Sequence, residues 1–186
     1  TAYEIRPRDW SSDVCSSDLV AFNPSLMGFD YYAGIEPLLE RLRELDMWAQ
    51  FQVENNQLID FLPMLARVDV KVMFDHCGRP DLAAGLRQPG FEALLALGRA
   101  GRAVVKLSGF AKFSREGFPF VDARPVIDAL AQAFGLQQCV WASDWPFLKA
   151  PYRLDYGPLL KIYEGMFTAD ERHQLMWLSA QTHFGF

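Results

Sequence analysis

The sequence predicts an α/β protein, an incomplete (β/α)8 barrel. Three observations predict it. After residue 19, short apolar strand-like segments alternate with helix-like segments, and five strands can be counted; that alternation is the signature of parallel βαβ units. Two of the strands end in ionisable groups, Asp75-His76 and Asp144, and in parallel α/β folds chemistry gathers at the C-terminal ends of the strands. A closed barrel takes about 250 residues, while this chain has 186, so roughly three βα units of a full barrel are not in it.

The elements follow in order. Val20-Ala21-Phe22-Asn23 is the first expected strand, and Pro24 stops it because proline cannot donate to a ladder. Pro37 suits the first turn of a helix, and Leu38, Leu39, Leu42 and Leu45 follow at helical spacing. Trp48 to Glu54 alternates as a second strand, which places Gln52 and Glu54 on one face. Leu58, Leu62 and Leu65 mark the next helix. Val70 to His76 is the third strand, and Gly78, Pro80, Gly85 and Pro89-Gly90 punctuate the loop after it. Phe91, Leu94, Leu95 and Leu97 predict a helix, and Ala103 to Gly109 a fourth strand with Lys106 and Ser108 on one face. Arg124-Pro125 opens a helix carrying Val126, Ile127, Leu130 and Phe134, and Gly135 ends it. Cys139 to Ser143 is the fifth strand; Asp144 stands where it stops. Pro158 to Met166 is predicted helical, and Thr168-Ala169-Asp170-Glu171 has capping-box spacing ahead of Leu175, Met176 and Leu178.

Composition narrows the function classes. Hydrophobic residues make up 51% and charged residues 22%, enough apolar surface for one sizeable core. The formal net charge of −5 has the wrong sign for a nucleic-acid binder. No apolar run approaches the roughly 18 residues that cross a bilayer, so neither a nucleic acid nor a membrane is expected as a partner. Three scattered cysteines make no disulfide framework, and a reducing cytoplasm is the expected location. Residues 9–19 are Ser/Asp-rich, lack periodicity, and look like one translated frame of a DNA-library sequencing adapter. Residues 1–19 are therefore expected to be a non-native or disordered segment, Cys15 included, with 20–186 forming the C-terminal part of the barrel.

Three motifs, in order and each one βα unit apart, resemble the amidohydrolase-2 family. Phe74-Asp75-His76-Cys77-Gly78-Arg79-Pro80-Asp81 is similar to its DHxGxP strand end, Val105-Lys106-Leu107-Ser108-Gly109 to its KLSG strand, and Trp141 to Pro146 to its last barrel strand, (G/A)SDWP. The closing Phe184-Gly185-Phe186 also resembles a family C-terminus. The lactonase-like members, pyrone-dicarboxylate and sugar-lactone hydrolases among them, are the nearest in kind. The resemblance implies that the visible strands are the fourth to the eighth of the barrel. It also implies a His-x-His pair on the first strand, and the histidines here are His76, His173 and His183.

The resemblance makes Asp144 the carboxylate that takes a proton from an attacking water, and His76 the imidazole that polarises the substrate carbonyl. Both would ligate zinc or manganese in metal-dependent relatives, while other lactonase-like members need no metal. Asp75 is read as a structural partner, since neighbouring strand residues face opposite ways. Arg79, three residues on, belongs to the rim, where a guanidinium can grip a carboxylate. Gln52, Ser108 and Asn23 are further candidates for contacting a small-molecule substrate. A Ser-His-Asp triad through Ser108 or Ser143 is disfavoured because no Gly-x-Ser-x-Gly elbow is present, and Cys77 reads as a small buried hydrophobe. Trp48, Trp141, Trp145 and Trp177 are expected in packing. Phe110, Phe113, Phe118 and Phe120 form either an apolar lid or the packing of their own loop. The expected activity is hydrolysis of a lactone or related ester; a zinc-dependent decarboxylase of the same family, or an inactive fragment of such an enzyme, are the alternatives. A homo-oligomer is compatible with all of these.

Overall fold

The computed structural model describes residues 19–148, 150 and 152–185. The reading of the polar N-terminal segment, Cys15 included, and that of Phe186 lie outside the described residues, except for Leu19. The elements run β1 (Leu19–Phe22), α1 (Pro24–Met27), α2 (Glu36–Glu44), β2 (Trp48–Phe51), α3 (Leu58–Arg67), β3 (Lys71–Phe74), α4 (Pro89–Arg99), β4 (Val104–Leu107), α5 (Arg124–Phe134), β5 (Cys139–Trp141), α6 (Tyr156–Met166), α7 (Ala169–His173) and α8 (Ser179–Phe184). The five strands form one parallel sheet in sequence order, β1-β2-β3-β4-β5. Each crossover carries a helix, and the whole is part of a (β/α)8 barrel. Leu19 is the first residue of β1, paired with Trp48.

Register explains the two faces. Ala49, Phe51, Val72, Phe74, Val105 and Leu107 point towards the helices and meet Phe61, Leu94, Ile127 and Leu130 in one apolar core. Burial of each large side chain there is worth roughly 1.5–3 kcal/mol. Residues of the other parity line the concave face. At the N-terminal end of the strands this face is apolar, with Trp48, Met73, Val104 and Val140 packed together and Phe184 against them. One step towards the C-terminal end it turns polar. Lys106 Nζ lies 3.0 Å from Asp75 Oδ1 and donates to Gln50 Oε1 at 2.6 Å, while Gln50 Nε2 donates to Asp75 Oδ2 at 2.8 Å.

The C-terminal helix is less regular than its capping box suggests. Thr168 Oγ1 accepts from Glu171 N–H and the Glu171 carboxylate accepts from Thr168 N–H, so α7 starts where the sequence says. Gln174–Leu178 then widens into a π-helical stretch before α8. The aromatic loop after β4 is packed rather than hinged. Phe110, Phe113 and Phe120 are buried, and Phe110 stacks on Tyr163 at 5.6 Å; the lid reading gives way to packing because three of its four rings have no free face. Phe118 alone of the four is exposed. Trp145 and Trp177 also depart from expectation, at 73% and 51% exposure. No helix among the described residues is long and apolar enough to cross a membrane.

Candidate active site

The site lies at the C-terminal ends of the strands, where the backbone leaves the β region at the chemically interesting residues. His76, Cys77, Gly78 and Arg79 are four successive left-handed residues, with φ of 53°, 58°, 70° and 45°. Asp144 has φ of 63°. A non-glycine residue held there costs of order 1–3 kcal/mol and persists only where its surroundings fix it. The turn also breaks the strict alternation of a strand. Asp75 stays on the concave face beside Lys106, and His76, instead of pointing to the helical side, swings towards β4 and Asp144.

His76 is 6% exposed. Its Nδ1 lies 3.0 Å from Ser108 Oγ, and its Nε2 faces Asp144 Oδ1 at 3.4 Å. Burial pushes the imidazole below its ordinary pKa of 6.5, with Asp75 and Asp144 partly opposing, so the ring is neutral near pH 7. Gly109, at φ +67°, makes room for it: a Cβ there would sit 2.5 Å from His76 Nδ1 and 2.6 Å from Cγ. The other carboxylate oxygen of Asp144 meets Lys112, Nζ to Oδ2 at 3.3 Å, and the same ammonium donates to the Leu148 carbonyl at 3.1 Å. Asp144 thus stands between an imidazole and an ammonium.

A cleft of about 680 Å³ opens over this group, lined by Asn23, Gln52, Arg79, Lys112 and Asp144, with Leu26, Trp145 and Leu148 as apolar wall. Of the residues singled out in the sequence, Asn23, Gln52, Arg79 and Asp144 meet there. Arg79 is already engaged: its Nη2 pairs with Glu54 Oε2 at 2.8 Å and its Nη1 donates to Ser25 Oγ at 2.8 Å. Asn23 is anchored too, its N–H donating to the Tyr32 hydroxyl and its Oδ1 accepting from Ser25 Oγ. Ser108 sits below the cleft, 1% exposed, with its hydroxyl on His76. That burial leaves it no path to act as a nucleophile. Cys77 is fully buried and its thiol is pushed up to about 12, so it stays protonated and inert.

Lys112 is the member that sequence reasoning did not single out. It stands four residues after Ser108 in the phenylalanine-rich loop, whose aromatic residues hid a charge; an isolated lysine among buried rings was the available signal. A divalent ion does not fit the present residues on their own. Among the described residues no group of three or more His, Cys, Asp or Glu side chains is placed to hold a metal ion. His76 and Asp144 supply two donors where a catalytic zinc site uses three protein ligands, and the Lys112 ammonium already occupies the second Asp144 oxygen.

The chain is similar to known proteins in sequence and in fold. The Amidohydro_2 family (amidohydrolase) matches residues 18–186. A 4-sulfomuconolactone hydrolase of Rhizobium radiobacter is 31% identical over 113 residues, 59% of this chain and 38% of that protein. A D-galactarolactone isomerase of Agrobacterium fabrum is 32% identical over 109 residues, 58% of this chain and 36% of that protein. Among solved structures, a Pseudomonas putida protein assigned as a 2-pyrone-4,6-dicarboxylic acid hydrolase superposes with a TM-score of 0.76 at 28% identity, covering 90% of this chain and 63% of that one. A Burkholderia multivorans amidohydrolase with bound zinc shares the fold, with a TM-score of 0.70 at 24% identity over 96% of this chain and 69% of that one. The matched region is thus well under half the length of the curated relatives.

Proposed function

The chain belongs to the Amidohydro_2 family of amidohydrolases, and from that premise we propose that the enzyme it forms part of hydrolyses a lactone or a related carboxylic ester. The observation that carries the reading is the meeting of His76, Asp144 and Lys112 at the strand ends, under a cleft that can hold a small ring. The names of the relatives support the lactone class: the Rhizobium radiobacter and Agrobacterium fabrum proteins both act on lactones.

In this reading Asp144 takes a proton from a water molecule as its oxygen adds to the lactone carbonyl. The carbonyl oxygen becomes an anion, and the Lys112 ammonium with the neutral His76 ring steadies it. The tetrahedral adduct collapses, the ring C–O bond breaks, and Asp144 returns its proton to the departing alkoxide. The product is the open hydroxy acid. Arg79, fixed by Glu54 and Ser25, presents a positive edge to the substrate, with Gln52 and Asn23 beside it; Ser108 acts from beneath the ring. A bound divalent ion would supply Lewis acidity to the same carbonyl, and the steps above use this chain's groups alone. A cytoplasmic enzyme acting on a small molecule is part of the same proposal, supported by the buried free thiols of Cys77 and Cys139.

The test is acid release from a panel of lactones by the purified chain, followed at constant pH with product identification. Opened hydroxy acid, abolished by Asp144→Asn, is expected. An isomerised lactone with no hydroxy acid formed would overturn the reading and point to the chemistry of the Agrobacterium relative, whereas a folded chain that releases no acid would favour the inactive-fragment alternative.

A further inference from the structure

We infer that Ser108 is a positioning residue that holds His76 as the Nε2–H tautomer, so that the ring's N–H faces Asp144. Three observations converge on it. First, Ser108 is 1% exposed, and its hydroxyl lies 3.0 Å from His76 Nδ1. A buried hydroxyl left without an acceptor costs roughly 1–3 kcal/mol, and Nδ1 accepts only when it carries no proton. Second, Nε2 faces the Asp144 carboxylate at 3.4 Å. A protonated Nε2 points a positive dipole at that anion, whereas the opposite tautomer would point a lone pair at it. Third, the ring has little freedom to escape either neighbour. It rests against the bare Cα of Gly109, where an added Cβ would overlap it, and its own backbone is held in the left-handed region. On this assignment the Ser108 hydroxyl donates to Nδ1, and the Nε2–H lies on the Asp144 side of the ring.

The consequence deepens the proposed function and rests on it; the geometry does not. A ring fixed in this tautomer is a donor at the face nearest the reacting groups and cannot act there as a base, which leaves the base role to Asp144. Ser108 thus acts through His76 and does not touch substrate.

The test reads the tautomer without turnover. A long-range proton–nitrogen correlation spectrum of the 15N-labelled full chain near neutral pH separates protonated from unprotonated ring nitrogens, and His76→Gln identifies the His76 signals. The wild-type spectrum is expected to show the proton on Nε2, and Ser108→Ala to shrink the separation of the two nitrogen shifts as both tautomers become populated. A wild-type ring protonated at Nδ1 overturns the inference whether or not the variant folds. An Ser108→Ala spectrum identical to wild type in a folded sample overturns it as well. Neither result depends on lactone hydrolysis, so failure of the function and failure of the tautomer assignment are read separately.

Discussion

The two ends of the same five-stranded sheet are built on opposite principles. At the N-terminal end the concave face closes with Trp48, Met73, Val104 and Val140, and its charges sit outside in exposed pairs such as Lys71–Asp46 at 2.7 Å and Arg102–Asp69 at 2.8 Å. At the C-terminal end the apolar layer stops. Charged groups go inward as Asp75 with Lys106, and Asp144 with His76 and Lys112, on backbone that leaves the favoured regions. The first end buries apolar side chains and leaves its charges in solvent. The second accepts strain and desolvation, which persist in folded proteins where function requires them.

The contrast is sharpest in activity. Asp144→Asn should lower lactone turnover by about 10²–10⁴-fold, the range of a general base, with the thermal midpoint little moved because the amide keeps the shape. Loss of activity matched by loss of fold in circular dichroism would break the assignment. Next comes stability. Lys106→Met strands the Asp75 carboxylate on the concave face and should cost about 3–5 kcal/mol in urea unfolding. Lys71→Met, at the other end, removes a solvent-screened pair and should cost no more than about 1 kcal/mol. Equal costs would erase the distinction between the ends. Gly109→Ala forces a side chain into the left-handed region and against the His76 ring; a loss of about 1–3 kcal/mol is expected, with a larger proportional loss of turnover than of stability.

The smallest effect is a pH slope. Burial holds His76 below its ordinary 6.5 in the folded chain, so the unfolded chain binds the proton first as pH falls. The contribution is fully present above the unfolded value and is lost as pH drops through 6.5 towards the folded value. Urea midpoints should therefore decline between about pH 7.5 and 5.5, and His76→Gln should flatten the decline. His183, at the other end and less buried, is pushed down in the same sense by burial, and its replacement should flatten it less. An unchanged slope in His76→Gln would contradict the buried, neutral ring.

Much of this was legible in the sequence. The five strands and the main helices stand where hydrophobic period and the prolines place them, because a parallel sheet covered by helices leaves little room for other patterns. Asp144, Arg79, Asn23 and Gln52 converge on one cleft because each closes or follows a strand at the same end. What escaped was decided beyond the strand ends. Lys112 reaches Asp144 from a loop whose course is set by buried rings. The left-handed run at His76 cancels the alternation that would have turned it away from Asp75's side. The engagement of Arg79 by Glu54 depends on two strands meeting in space. The π-helical stretch at Gln174–Leu178 follows a well-formed capping box, and we have no physical account of why it widens there.

A double-mutant cycle on His76 and Asp144 tests the central claim most directly, with lactone turnover of His76→Gln, Asp144→Asn and the double variant measured in folded samples. If the two side chains act as one unit, the double variant should be little worse than the poorer single variant. Losses that multiply in the double variant would contradict it.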